Sequence, residues 1–138
     1  MTGTAEAEAF TRKLTAFCTG TTGLAHVVAV SPEGLLIGRW GGGDRSDADR
    51  LAAITSGLTS LAGGTARTYR LGVPSKVVIE FASGHLLVSA IGQGAMLGVV
   101  TGATADVGVV AYQMAMFAVL AGRGLSPAVM AELKNSTE

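Results

Sequence analysis

The chain has 138 residues, the size of one domain, and is long enough to bury about two-thirds of its unfolded surface. Ten basic residues balance ten acidic ones, so its charge gives no electrostatic footprint for nucleic acid or an anionic membrane. The single cysteine, Cys18, excludes an internal disulfide and, with two histidines, a zinc-finger ligand set. These totals predict a protein of the reducing cytosol. With 49% apolar and 14% charged residues, we also expect another subunit to cover part of its surface.

The first third of the chain predicts one helix and one β-hairpin. Apolar residues at helical spacing predict the helix from Thr4 to Cys18. The sequence LAHVVAVSPEGLLIGRW then predicts strands at Ala25–Ser31 and Leu35–Trp40, because the proline and glycine of SPEG favour a tight turn.

The stretch WGGGDRSDADR, residues 40–50, has the glycines of a phosphate-binding loop. A P-loop needs a lysine followed by Ser or Thr after its last glycine, and Gly43 is followed by Asp44 and Arg45 instead. Several aspartates would repel an anion here, whereas they stabilise the start of a helix. The stretch therefore predicts a strand-to-helix connection, with Asp44 or Ser46 as the helix cap.

A middle helix is predicted from Ser46 to Ala62. Its larger apolar residues recur at spacings of three and four and form one stripe: Leu51, Ile54, Leu58 and Leu61. The other positions are mostly small, so a partner helix can approach the helix closely on a second face. The sequence RTYRLGVP, which follows, predicts a loop.

Three antiparallel strands are predicted after this loop. The first, Lys76–Phe81, alternates in polarity, and the next two are the runs HLLVSAI and AMLGVVTG. The uncharged stretch Phe81–Ala105 is long enough to span a bilayer. Glycines divide it into runs of strand length, which favours strands over membrane insertion.

Two helices are predicted at the end of the chain. Asp106 can cap the first, VGVVAYQMAMFAVLAG, which is apolar nearly all round and is therefore predicted to be buried on more than one side. Its methionines fit a core better than a binding face. The second helix is SPAVMAELKN, with Ser126 as cap and Pro127 at its first position.

Residue types that often carry chemistry are sparse in this sequence. His26 and His85 lie within strand patterns, which favours structural roles. Cys18 lies beside Phe17 at the end of the first helix, where an apolar packing role is expected. No nucleophile with an activating base can be assigned. We therefore predict no catalytic residue, no cofactor and no metal site.

Two features leave alternatives open. Trp40 either covers the edge of the core or anchors a partner, since tryptophan is enriched at interface hot spots. Arg67, Arg70 and Lys76 form the one local excess of positive charge. They predict either a solvated face or a contact with an acidic partner surface.

The order of these elements resembles the roadblock family of dynein light chain relatives. The resemblance rests on GLAHVVAVSPEGLLIGRW, the helical stripe Leu51–Leu61, KVVIEFASGHLLVSAIG and AMLGVVTGATADVGVVAYQMAMF. It covers residues 8–121 of a single domain, 1–138, in which residues 122–138 form a short C-terminal helix and tail. It implies an α+β fold of order α-β-β-α-β-β-β-α, with a five-stranded antiparallel sheet and helices on both faces.

The resemblance also implies a homodimer that pairs through the third strand and the middle helix. The candidate interface residues are Lys76, Val78, Glu80, Leu51, Ile54 and Leu58. An unpaired strand such as KVVIEF would itself be an aggregation hazard, which agrees with this pairing.

Bacterial members of the family resemble proteins that act together with small Ras-like GTPases, sometimes within sensor-linked signalling systems. The resemblance therefore implies a noncatalytic, cytoplasmic regulator that binds such a GTPase, next to a sensor-kinase-like protein or a membrane-bound signalling complex. The candidate GTPase contacts are Trp40, Arg45, Asp47 and Arg50. Two alternatives are a structural adaptor without effect on GTP turnover and a small-ligand sensor, for which the sequence shows no converging polar set.

Overall fold

One antiparallel sheet between two helical layers organises the chain, in a computed structural model that describes residues 2–137, with side chains from residue 4 onward. The helices and strands, in chain order, are α1 (Thr2–Gly20), β1 (Leu24–Val30), β2 (Leu36–Gly41), α2 (Arg45–Tyr69), β3 (Lys76–Phe81), β4 (Gly84–Gly92), β5 (Ala95–Gly102), α3 (Val107–Ala121), a 3-10 turn (Gly122–Gly124) and α4 (Pro127–Ser136). This order and the five strands of the described residues confirm the predicted fold class.

The strands lie in the order β2-β1-β5-β4-β3. Hairpins join β1 to β2, β3 to β4 and β4 to β5. The pairing of β1 with β5 joins these strands into one open sheet. The uncharged stretch from Phe81 to Ala105 contributes β4 and β5, as its glycine breaks predict. The third strand, β3, is left at one edge of the sheet.

The larger core lies between the sheet and the layer formed by α1, α3 and α4. Its centre is an aromatic cluster in which the Phe117 ring lies 5.7 Å from that of Phe10 and 5.4 Å from that of Phe17. Buried residues of α4, including Leu133, complete this layer. Ser126 caps α4 and Pro127 begins it, as predicted.

The smaller core lies on the opposite face, where α2 packs on β1 and β5. The two fully buried side chains of α2, Ala52 and Thr55, are small, and Ala48 and Leu51 pack beside them partly buried. A Cβ atom on Gly98, in the middle of β5, would collide with Oγ1 of Thr55, so the glycine sets how closely the helix approaches. The face of α2 that contains Ala52 and Thr55 therefore packs on the chain's own sheet. The close approach of a partner helix on a second face stays a prediction.

The middle helix is also longer than predicted, because it continues through the glycine pair at 63–64 to Tyr69. Glycine lowers helix propensity by about 1 kcal/mol each but leaves the backbone N–H groups able to continue the ladder. The helix ends only at Arg70, which adopts a left-handed conformation (φ 55°) and donates its N–H to the Ala66 carbonyl. The first three of the eight residues of the predicted RTYRLGVP loop, Arg67–Tyr69, are thus helix.

The third helix has one buried face rather than several. Val110, Met114, Phe117 and Ala121 of α3 point into the core, and five large apolar residues on its other side are exposed: Val109, Tyr112, Met116, Val119 and Leu120. The prediction that this helix is buried on more than one side is therefore wrong for the single chain. With the turn after it, Val107–Gly124 is long and apolar enough to cross a membrane by length and composition alone.

Candidate protein-binding surface

The glycine-rich connection between β2 and α2 is shaped by backbone conformation and a reciprocal cap. Gly41 and Gly43 have positive φ angles of 109° and 92°, which favour glycine. Asp47 N–H donates to Asp44 Oδ1 at 2.9 Å, and Asp44 N–H donates to Asp47 Oδ2 at 3.1 Å. This capping box begins α2 at Arg45 and confirms Asp44, one of the two predicted caps. The hydrogen bond from Asp47 N–H is the main cause that lowers the pKa of Asp44 below its ordinary value of 3.8.

A groove of about 310 Å³ lies between the first turns of α2 and the ends of β1, β2 and β5. It brings together polar and charged side chains from three separate segments: His26, Arg39, Asp47 and Arg50. Val28, Leu51, Ile54 and Val100 add apolar lining. The sequence did not reveal this polar set, because His26 and Arg39 come from strands that only the sheet register places side by side. The His26 ring donates from Nδ1 to the Gly42 carbonyl at 3.1 Å, which holds the ring against the connection.

The two arginines predicted to contact a GTPase have different surroundings. Arg45 pairs with Asp49 at 3.0 Å and donates from Nη1 to the Thr137 carbonyl, which ties the start of α2 to the end of α4. Arg50 is exposed and has only a 3.5 Å contact with Asp47. Of the two, Arg50 is therefore the one that a partner could reach without breaking an internal contact.

Trp40 also lines the groove, but its side chain lies on the other face of the sheet from that of Arg39. It pairs with Val27 in the sheet, and its half-buried side chain packs against the core on the α1 side. Its neighbour Arg39 points to the α2 side, where the groove lies. The core-edge alternative for Trp40 thus describes its position in this chain.

A broad apolar surface begins at the same helix. The leucine-rich stripe of α2 lies largely on the outer side of the helix: Leu61 is 70% exposed and Ile54 is 45% exposed, while Leu58 is partly buried and Leu51 packs at the edge of the smaller core. On β3, Val77 pairs with Val88, which in turn pairs with Gly98 under α2, so alternate β3 residues face the same side as α2. We call the stripe, together with Val77, Ile79 and Phe81, the α2–β3 surface.

The six predicted dimer residues fall on two sides of the sheet. Leu51, Ile54 and Leu58 belong to the α2–β3 surface. Lys76, Val78 and Glu80 alternate to the opposite face, because Val78 pairs with Leu87 of the larger core. The two groups therefore meet only through the backbone of the β3 edge.

Several exposed residues of this region were missing from the predicted set. Phe81 is 56% exposed at the end of β3, and Tyr69, Leu71 and Val73 are exposed between α2 and β3. Their large apolar side chains in a segment predicted to be a loop were the available signal. Together they extend the α2–β3 surface beyond Leu61.

A model of the Roadblock/LC7 domain matches residues 11–101. The chain belongs to the Roadblock/LC7 family. Two crystal structures of Roadblock/LC7 domains from Streptomyces avermitilis resemble it. One is 39% identical and covers 79% of this chain and 94% of that one, with a TM-score of 0.63. The other is 34% identical and covers 77% and 88%, with a TM-score of 0.70.

The same roadblock fold is found in the gliding protein MglB from Thermus thermophilus. That structure has a TM-score of 0.73 at 17% identity and covers 96% of this chain and 93% of its own. No curated protein sequence matches the chain.

The surroundings of Cys18 and His85 in this roadblock domain indicate structural roles for both side chains. Burial raises the pKa of the Cys18 thiol to about 12, so the thiol stays protonated and packs as an apolar group. His85 lies 4.0 Å from Glu80 and 3.5 Å from the Thr101 hydroxyl. Among the described residues, no group of three His, Cys, Asp or Glu side chains could hold a metal ion.

Proposed function

We propose that this roadblock protein is a noncatalytic, cytoplasmic homodimer that binds a small Ras-like GTPase and regulates its nucleotide cycle or its placement. The observation that carries the proposal is the α2–β3 surface, an exposed apolar stripe beside an unpaired strand edge. Exposed patches of this kind mark protein interfaces, and an open edge strand is a template for another strand. Membership of the Roadblock/LC7 family and the likeness to a bacterial gliding protein support a regulatory role.

In the proposed dimer, β3 pairs with β3 of a second copy and the two leucine-rich stripes pack together. Pairing the β3 edges of two copies joins their sheets into one and leaves neither β3 edge open. Burying Leu61 and Phe81 also removes two of the largest exposed side chains on this face from water. A surface built from both subunits then presents the groove of each copy beside the dimer seam, because Leu51 and Ile54 line both features.

The groove is the part of this surface that best fits a GTPase. Arg39 and Arg50 give it positive charge, and the apolar lining gives it area for burial. Arg45 is held by Asp49 and the Thr137 carbonyl, which argues against its use as an arginine finger. We therefore favour placement of the GTPase switch loops, which shifts a conformational population without supplying a catalytic group.

The dimer is tested by substituting residues that are exposed in the single chain, so that folding is preserved. Leu61→Asp and Phe81→Asp should each lower the molar mass in sedimentation velocity, because a carboxylate in a dimer seam is costly to desolvate. Leu35→Asp, at a 42% exposed position in the β1–β2 turn, is the matched control and should leave the mass unchanged. An unchanged mass for Leu61→Asp and Phe81→Asp would remove the proposed seam.

The GTPase contact is tested with purified small Ras-like GTPases, starting with any whose gene neighbours the gene for this chain. Hydrolysis and nucleotide exchange are measured with and without the roadblock protein, and with Arg50→Glu. We expect Arg50→Glu to weaken binding at least tenfold without changing the dimer, and Arg12→Glu, on the opposite face, to have no effect. Binding without any change in either rate would favour the structural adaptor instead.

A further inference from the structure

The outer face of α3 is an exposed apolar surface that the proposed function leaves unused. Val119 is 71% exposed, Leu120 is 64% exposed and Tyr112 is 62% exposed, and Val109 and Met116 continue the same face. The helix Val107–Ala121 contains no charged residue. It lies on the side of the sheet opposite α2, so the proposed β3 pairing does not cover it.

We propose that this α3 face binds the α3 face of a second copy, with the two helices antiparallel, and so joins roadblock dimers into a larger assembly. This inference goes beyond the proposed function and needs neither the GTPase nor the groove. An isologous contact uses the same patch on both subunits, so the patch must be complementary to itself. The residues of α3 meet that condition in both shape and charge.

The charges at the two ends of α3 set the direction of the pair. Asp106 caps the N-terminal end, where its side chain accepts a hydrogen bond from Val109 N–H at 3.2 Å. Arg123 follows the C-terminal end, and both side chains are accessible to solvent. In an antiparallel pair the aspartate of one copy lies beside the arginine of the other, and the helix dipoles oppose each other favourably. A parallel pair would place like charges together at both ends.

The apolar residues between these ends follow the same symmetry. Asp106 and Arg123 lie equally far from a centre between Met114 and Ala115, and so do Val109 and Leu120. In the antiparallel pair, Val109 of one copy therefore lies level with Leu120 of the other. Tyr112 and Met116 lie on either side of the same centre. The pairing thus places Val109 against Leu120 at both ends of the face, and the Lys13 ammonium, which donates to the Leu120 carbonyl at 3.1 Å, adds positive charge at the same end as Arg123.

Charge also argues for a second copy over a lipid surface. Helices that lie on membranes have a basic polar face flanking their apolar one. Here one end of the face is acidic, the helix itself is neutral, and the whole chain has a formal net charge of zero. A neutral chain also approaches its own copy without long-range repulsion.

The main test measures mass by sedimentation velocity over a hundredfold range of protein concentration. Val119→Glu should raise the dissociation constant of the α3 contact at least tenfold, because it places a carboxylate in the seam. Its side chain is exposed, so the melting temperature should stay that of the wild type. Leu35→Glu, on the β1–β2 turn, is the matched control and should keep the wild-type assembly.

The direction of the pair is tested by its end charges. Arg123→Asp should weaken association about threefold, the size expected of an exposed ion pair, and Arg123→Lys should not. Asp106→Asn, which keeps a capping oxygen, should recover part of the loss when it is combined with Arg123→Asp. Equal association for Arg123→Asp and Arg123→Lys would exclude the antiparallel arrangement.

Two further outcomes would overturn the proposal. One is a wild-type mass for Val119→Glu at every concentration. The other is cosedimentation with vesicles of phosphatidylcholine and phosphatidylglycerol that Val119→Glu abolishes while the protein's mass stays the same.

The double variant Leu61→Asp/Val119→Glu separates the α3 contact from the proposed β3 seam. We expect the double variant to be a monomer, while each single variant retains one contact. If Leu61→Asp changes nothing but Val119→Glu does, the α3 contact stands and the proposed β3 seam fails.

Discussion

Helices α2 and α3 cover the sheet from opposite sides, and they pack on it with side chains of different sizes. Helix α2 buries small side chains, Ala52 and Thr55, and exposes Ile54 and Leu61. Helix α3 packs through large side chains such as Met114 and Phe117, and has more large ones on its outer face. Both helices therefore leave apolar surface exposed, for different reasons.

The sheet itself explains the difference. Under α2, Gly98 lacks a side chain, so the helix lies close to β5 and only small residues fit between them. On the other face, Leu87, Leu97 and Val99 project from the strands and pack with the long inner residues of α3. At the contact between Thr55 and Gly98, the strand beneath the helix thus limits the size of the helix residue that faces it. Hydrophobicity alone does not identify the buried face.

The largest expected effect comes from the inner face of α3. Phe117→Ala removes the ring that contacts both Phe10 and Phe17, and should lower the free energy of unfolding by about 3–5 kcal/mol. Urea unfolding measures the change. Val119→Ala, on the outer face of the same helix, should stay within about 0.5 kcal/mol of the wild type in dilute protein. Similar losses for the two variants would mean that the faces of α3 are assigned the wrong way round.

A smaller effect is expected where α2 approaches the sheet. Gly98→Ala places a methyl group against Thr55 and should cost about 1–3 kcal/mol, again by urea unfolding. Thr55→Ala removes the colliding atoms and a buried hydroxyl that has no hydrogen-bond partner within the described residues, so alone it should change stability little.

The double variant Gly98→Ala/Thr55→Ala sharpens this test, because the two residues share one contact. It should be more stable than Gly98→Ala alone. If the two losses simply add, the close approach of α2 to β5 is not what makes the glycine necessary.

The smallest effect concerns the start of α2 and depends on pH. The lowered pKa of Asp44 means that folding favours its carboxylate, so this contribution is complete above the ordinary pKa of 3.8 and is lost as the pH falls through and below that value. Amide exchange at the first turn of α2 should therefore quicken on acidification relative to exchange in α3. Asp44→Asn, which can still cap the helix, should remove most of this pH dependence. If amide exchange at the first turn of α2 depends on pH equally in the wild type and in Asp44→Asn, the effect comes from another titrating group.

The fold was largely predictable because its signals are local. Alternation marks β3, the SPEG turn marks the first hairpin, and Asp106 and Ser126 cap the last two helices at the predicted places. The end of α2 was not predictable from propensity, since glycine weakens a helix but its backbone N–H groups can still continue the hydrogen-bond ladder through the pair.

The site was less accessible than the fold, because its residues are brought together by strand register and by packing distance. The groove joins His26 and Arg39 to Arg50 across a sheet order that no local pattern contains. Similarly, the outward position of Leu61 follows from the close contact between Thr55 and Gly98, two residues that are 43 positions apart in sequence.

The contact between Thr55 and Gly98 also supplies a natural spectroscopic reporter. The Thr55 side chain is fully buried at the middle of the seam between α2 and β5, and Gly98 has no side chain that could move to compensate for a displacement of the helix. Any partner that shifts α2 along the sheet must therefore change the surroundings of the Thr55 methyl group. Its carbon–proton resonance would register binding at the outer surface of α2 from inside the protein, without a label at the interface.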